Sequence, residues 1–185
     1  MRIADPGPRP RPFRNPNSEI RNRFPIAYLG LGSNLGDRRS HLEGALFEIA
    51  RLAPLRRVSS FYRSEPVGFR DQPDFWNAVA TIAWNGTPRS LLRAVKKVER
   101  RVGRTPSFRN GPREIDVDIL DLGGLVRARP DPVLPHPRLS SRRFVLAPLA
   151  EIAPSWTHPV LGRTARQLLK GLPKKPAVRR IPVAS

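Results

Sequence analysis

Residues 114–122, EIDVDILDL, restrict the fold of this chain more than any other segment. Read as a strand, the segment puts Ile115, Val117 and Ile119 on one face and Asp116 and Asp118 on the other. The apolar face has to be covered by other elements, while the two neighbouring carboxylates have to meet water, cations or a ligand. Taken alone, the pair fits the wet face of an antiparallel sheet as well as it fits a site. The surroundings tip the balance: Arg104, Arg109 and Arg113 crowd the approach through a Gly-Pro-Arg turn. Two hard oxygen ligands on a rigid strand suit Mg²⁺, which is commonly held by one or two carboxylates plus substrate phosphates. Arginines beside them point to a phosphate-bearing ligand.

The other elements can be ordered around this strand. IAYLGLGS, 26–33, reads as a strand interrupted by Gly30 and Gly32. Such glycines mark close approach of a ligand or tight packing of a helix, and the sequence does not choose between them. Leu42, Ala45, Leu46, Ile49 and Leu52 recur at helical spacing until Pro54. Residues 55–63 read as a second strand, 64–73 as a loop, and NAVATIAW, 77–84, as a third strand. Thr87 and Pro88 open a second helix, whose stripe of Leu91, Leu92, Val95, Val98 and Val102 ends at Gly103. The aspartate strand follows, with Gly123 and Gly124 expected to turn it into a hairpin. Beyond lie a proline-rich stretch around a short helix near 141–152 and a last helix capped by the Thr164-x-x-Gln167 box. The order β-α-β-β-α-β predicts an α+β, ferredoxin-like sandwich: an antiparallel sheet with helices on one face, plus a C-terminal extension. The acids would then face away from the helices, toward the long loops.

Composition sets the class of partner. The net charge is +19, and residues 1–25 hold six arginines against Asp5 and Glu19. Such a balance favours nucleotides, nucleic acid or an anionic surface. Without cysteine there is no thiolate chemistry and no cysteine-based zinc site. No apolar run approaches the roughly 20 residues that span a bilayer, and the five prolines between Pro6 and Pro16 forbid the amphipathic helix of a transit peptide. The expectation is a soluble cytoplasmic protein. It would have a disordered Pro/Arg-rich arm over 1–24, one domain over 25–170 and a basic tail over 171–185.

Five ordered segments, GLGSNLGDR (30–38), SSFYRSEPVG (59–68), DQPDFWNAV (71–79), GPREIDVDIL (111–120) and PHPRLSSRRFVLAPLAEIAP (135–154), resemble the 6-hydroxymethyl-7,8-dihydropterin pyrophosphokinases of folate synthesis. The resemblance covers about residues 26–170. It implies transfer of the pyrophosphoryl group of ATP to the pterin hydroxymethyl oxygen, with release of AMP. It further implies that Asp116 and Asp118 hold two Mg²⁺ ions, and that Arg104, Arg113, His136 and Arg142 contact the phosphates. Ile119 would pack near the adenine. Asn77, Ser64 and main-chain groups of Pro66, Val67 and Gly68 would bind the pterin edge, while Phe75 and Phe144 sandwich the ring. Glu99 stands where the family has an acid, or serves as a surface partner of Arg100 or Arg104. The segment TPSFRN departs from the family: it is a residue shorter, and Asn110 stands where many members carry tryptophan. Arg109 is the candidate to replace a missing arginine contact there. No residue presents itself as a general base. A monomer without specific nucleic-acid partners is expected.

Two other readings compete. A basic ferredoxin-like nucleic-acid module would stack bases on strand aromatics, yet the strand offers Asp116 and Asp118. A two-metal nucleotidyl transferase or cyclase would leave DQPDFWN and the Phe75/Phe144 pair without a task.

Overall fold

The computed structural model describes residues 24–108 and 110–182. The arm, apart from Phe24, and Arg109 thus lie outside the described residues. Strand β1 (Ile26–Ser33) leads into helix α1 (Arg38–Leu52), followed by β2 (Leu55–Val58), β3 (Tyr62–Ser64) and β4 (Phe75–Ala83). Helix α2 (Pro88–Val102) precedes β5 (Asp116–Leu122). A 3₁₀ turn at Leu139–Ser141 then introduces α3 (Arg143–Ile152), α4 (Ala165–Gly171) and β6 (Val178–Arg180). The strands form one antiparallel sheet in the order β5-β1-β4-β3-β6, with β2 also paired to β4. The architecture is a mixed helix and antiparallel-sheet fold.

The helix boundaries follow from local chemistry. The Asp37 carboxylate accepts from the backbone N–H groups of Arg39 and Ser40, both at 3.1 Å, and so starts α1. Thr87 Oγ1 accepts from Ser90 N at 3.1 Å, with Pro88 in the first turn of α2. Gly103, at φ 103°, ends that helix in the left-handed region, where a side chain would be strained. The Thr164–Gln167 capping box opens α4. Replacing Thr87 with Ala removes a cap worth ~1 kcal/mol. The expected result is a fall of about 2–4 °C in melting temperature; an unchanged melting curve would refute the capping role.

Three local expectations need correction. The single strand over 55–63 is broken, because Ser59 bonds Val79 with its N–H (2.9 Å) and its hydroxyl (2.9 Å), and the chain leaves the ladder before Tyr62. Gly123 and Gly124 do turn the chain, at φ 58° and 74°, but no partner strand follows. The return segment makes only an isolated bridge between Arg127 and Leu134. The segment read as a basic tail contributes β6, which extends the sheet beside β3.

Each face of the sheet carries its own core. Ala27, Leu29, Leu31, Ile115, Val117 and Ile119 pack against Leu42, Ala45 and Ile49 of α1 and Leu91, Val95 and Val98 of α2. On the opposite face, Val79 and Leu120 pack under Leu146, Leu149 and Leu168 of the C-terminal helices. A register shift between Tyr28 and Leu29 inserts Leu120 as an extra residue in β5. The bulge puts Asp121 on the same side as Leu120, toward this second layer, where the Asp121 carboxylate accepts from Trp156 Nε1 at 3.1 Å. The second layer covers only part of its face, and the rest is open.

Candidate active site

The open part is a cleft of about 500 Å³, within the size range of small-molecule sites. Its floor is a lane without side chains. In register, Gly32 lies between Asp116 on β5 and Asn77 on β4, and Gly30 lies between Asp118 and Val79. A Cβ on Gly32 would stand 3.5 Å from Asn77 Oδ1, and one on Gly30 would meet Leu120 at 3.2 Å. The two glycines therefore open the cleft floor; they are not there for helix packing.

One wall is charged. Arg104 Nη1 donates to Asp116 Oδ1 at 2.5 Å and Arg113 Nη1 to Asp116 Oδ2 at 2.9 Å, so each oxygen has its own arginine. Burial pushes the Asp116 carboxyl up, but Arg113, Arg104 and Lys96 outweigh it and hold the pKa below the ordinary value. Asp116 is therefore ionised at neutral pH. Asp118 is more open, with its side chain 37% exposed. Its Oδ2 stands 3.9 Å from both His136 Nε2 and Arg142 Nη1. His136 is fixed by its own N–H on Leu120 O (2.8 Å), and its Nδ1 accepts from Arg138 N at 3.1 Å. Nε2 therefore carries the ring hydrogen and faces the acids. Burial lowers the His136 pKa; Asp118 opposes, Arg142 and Arg138 add to the lowering, and the ring is neutral at pH 7.

Behind this wall lies Glu99, which the sequence allowed as a surface partner. It is 3% exposed. It accepts from Val117 N at 2.8 Å, from Lys96 Nζ at 2.7 Å and from Arg104 Nη1 at 2.8 Å. Glu99 thus ties α2 to β5 and aims Arg104 at Asp116.

The far wall is less polar. Phe75 and Phe144 both border the cleft, and the Arg142 guanidinium lies 5.4 Å from the Phe144 ring centre. Asn77 and Ser64 are buried, and Asn77 Nδ2 donates to Ser64 Oγ at 2.9 Å. This leaves Asn77 Oδ1 facing the glycine lane as an acceptor. Val67 and Gly68 border the cleft, whereas Pro66 does not. Ile119 is the clear departure among the expected contacts. Its side chain is 5% exposed in the helix-side core, so it cannot pack on a base in the cleft, and any contact from it is confined to its main chain. Leu120, next in the alternation after Asp116 and Asp118, borders the cleft instead. Arg138, passed over in the sequence although it lies inside a matched segment, also reaches the cleft. Asn34 was missed as well; it lies in GLGSNLGDR, but only its tertiary partners reveal what it does.

Residues 28–154 match the profile of the 7,8-dihydro-6-hydroxymethylpterin-pyrophosphokinase (HPPK) family. The chain belongs to this family. A 2-amino-4-hydroxy-6-hydroxymethyldihydropteridine pyrophosphokinase of Pseudomonas aeruginosa is 40% identical over 159 residues, spanning 85% of this chain and 97% of its own. The enzyme of that name from Aquifex aeolicus is 39% identical over 140 residues, spanning 76% and 88%. The "Folic acid synthesis protein FOL1" of Dictyostelium discoideum is 36% identical over 157 residues. The match takes in 85% of this chain but 24% of that relative, so this chain spans about a quarter of its length. Wild-type HPPK-DHPS of Plasmodium falciparum superposes with a TM-score of 0.63 at 14% identity, over 80% of this chain and 44% of that one. At that identity the likeness bears on the fold.

The carboxylates of the cleft fit a divalent cation that completes its shell with oxygens from outside the protein. Among the described residues no group of three or more His, Asp or Glu side chains could hold an ion alone. Asp116 and Asp118 supply two hard ligands on one face, beside the Gly30–Gly32 lane that carries no side chain. Mg²⁺ takes the rest of its shell from phosphate oxygens and water.

Proposed function

We propose that this chain transfers the pyrophosphoryl group of ATP to the hydroxymethyl oxygen of 6-hydroxymethyl-7,8-dihydropterin, releasing AMP, in folate biosynthesis. The observation that carries the reading is a single cleft with two unlike ends joined by side-chain-free strand. Asp116, Asp118, Arg104, Arg113, His136 and Arg142 stand at one end, and Phe75, Phe144, Asn77 and Ser64 at the other. The first end suits a triphosphate and the second a flat heterocycle with N–H groups along one edge.

In this reading Asp116 and Asp118 hold two Mg²⁺ ions, which when bound neutralise phosphate charge and align the attacking and leaving oxygens. Arg104 and Arg113 are already aimed by Asp116, so little reorganisation is needed when charge develops on the transferred group. His136 contributes a neutral N–H donor and Arg142 a second fork from the opposite side of the cleft. Asn77 Oδ1 accepts from the pterin edge, and the two phenylalanines fix the ring plane, which positions the hydroxymethyl oxygen for in-line attack. Transfer through a loose transition state requires little prior deprotonation of the nucleophile, so no residue is assigned as a general base.

The order β5-β1-β4-β3, with helices α1 and α2 on one face, supports a ferredoxin-like core extended by β6 and the C-terminal helices. We take the protein to act as a cytoplasmic monomer; among the described residues no helix is long and apolar enough to cross a membrane. A nucleic-acid module is disfavoured by the acids and bare glycines on the open face, where bases would have to stack.

The test is AMP release from ATP and Mg²⁺ with and without the pterin. Strict pterin dependence is the expected result. Pyrophosphate release, or AMP formed without pterin, would overturn the reading in favour of a different nucleotidyl chemistry.

A further inference from the structure

We propose that Asn34 is a positioning residue for this reaction, using the two ends of its amide to set Arg113 and the pterin-facing loop in a fixed relation. The inference rests on the pyrophosphoryl-transfer reading. Asn34 follows the last residue of β1, is 1% exposed and does not border the cleft. Its Oδ1 accepts from Arg113 N at 2.8 Å. Its own N–H (3.1 Å) and that of Leu35 (3.2 Å) donate to Arg113 O, so both main-chain polar groups of Arg113 are docked on one turn. The other end of the amide, Nδ2, donates to Gln72 Oε1 at 2.9 Å and to Pro73 O at 3.1 Å.

The orientation of the amide is not arbitrary. Arg113 N can only donate and Pro73 O can only accept, so the carbonyl end must face Arg113 and the NH₂ end the loop. The network continues: Gln72 Nε2 donates to Phe69 O at 2.5 Å and to Asn110 O at 3.1 Å. One buried amide therefore joins the end of β1, the loop that runs into Phe75 and Asn77, and the turn that carries Arg113. Aspartate could not make the two donations, leucine neither kind of bond, and glutamine would need room for another methylene in a buried site. The Arg113 guanidinium is itself tied to Asp116 Oδ2 and to Gly111 O, so the placement of its main chain sets where the fork points. A shift there moves a phosphate contact relative to the pterin wall, and displacements of about 1 Å can cost about a hundredfold in rate.

A double-mutant cycle between Asn34→Ala and Arg113→Ala, read as kcat and KM in pterin-dependent AMP release, tests this. Asn34→Ala alone is expected to lower kcat by about a hundredfold. In the Arg113→Ala background the same change is expected to cost no more than about threefold, because the group it places is gone. Full multiplication of the two losses would overturn the inference, since a merely structural role gives independent effects. Gln72→Ala, on the half-buried loop, decides the matter if Asn34→Ala does not fold. It keeps the Arg113 bonds and removes a partner of Nδ2, so the pterin KM should rise several-fold with the ATP KM unchanged. An unchanged pterin KM, or an equal rise in both, would overturn the inference. Absence of pterin-dependent AMP release in the wild-type chain would instead bring down the reaction itself, and this inference with it.

Discussion

Replacing Asp118 with Ala is expected to lower kcat for pterin-dependent AMP release by about a thousandfold or more, with pterin binding in the absence of metal left within about twofold. Asp118 is the more open of the two carboxylates, facing Arg142 and His136 across 3.9 Å. Its loss removes a hard oxygen ligand at the point where phosphate charge must be neutralised. A thousandfold corresponds to ~4 kcal/mol of transition-state stabilisation, within what charge stabilisation at a reacting phosphate supplies. The pterin wall contains none of its atoms, because Asn77, Ser64, Phe75 and Phe144 come from β3, β4 and α3. The protein should fold normally, since a partly exposed carboxylate whose partners stand as far off as 3.9 Å adds little to stability. The measurement is steady-state AMP formation beside calorimetric titration of the pterin without Mg²⁺. Turnover equal to wild type would sink the metal-ligand assignment, and lost pterin binding would show that the cleft itself had collapsed.

Replacing Glu99 with Ala should act on stability first and activity second. Glu99 is 3% exposed and gives Val117 N its acceptor while holding Lys96 and Arg104. Removing it leaves a buried N–H unpaired and a cation without its counter-charge. Breaking a buried pair in this way costs ~3–5 kcal/mol; Arg104 (29% exposed) and Lys96 (40% exposed) can partly rehydrate, so the low end, about 3 kcal/mol, applies. For a domain of this size that is a drop of about 6–12 °C in melting temperature. Glu99→Gln keeps an acceptor for Val117 and should lose clearly less. Activity of the folded alanine variant should also fall, because Arg104 is then aimed only by Asp116. A melting temperature within about 2 °C of wild type would refute the role of Glu99 as the tie between α2 and β5.

Much of the site could be read along the chain because its parts are local. The face shared by Asp116 and Asp118 follows from strand alternation, and the ends of α2 follow from Thr87, Pro88 and Gly103, each acting within four residues. The resemblance supplied candidates that the fold gathers around one cleft: Arg113, His136, Arg142, Phe75, Phe144, Asn77 and Ser64 from the matched segments, and Arg104 from the turn after α2. What the chain concealed depends on partners distant in sequence. The role of Gly30 and Gly32 is defined by register with Asp118 and Asp116. The helix-side place of Ile119 follows from the same alternation that sets the acids, whereas the turn of Asp121 to the side of Leu120 comes from a bulge that no local pattern announces.

By itself, the sequence determined the main helices and the strands β1, β4 and β5, the helix ends, the face of the acids and the family, because hydrophobic period, capping and motif order are properties of neighbouring residues. Only the tertiary structure decided that Glu99 is buried, that β6 joins the sheet beside β3, and that Asn34 joins two loops through one amide. These depend on which donors and acceptors the folded chain brings within about 3 Å of one another, and that distance is set by packing across the sheet and not by separation along the chain.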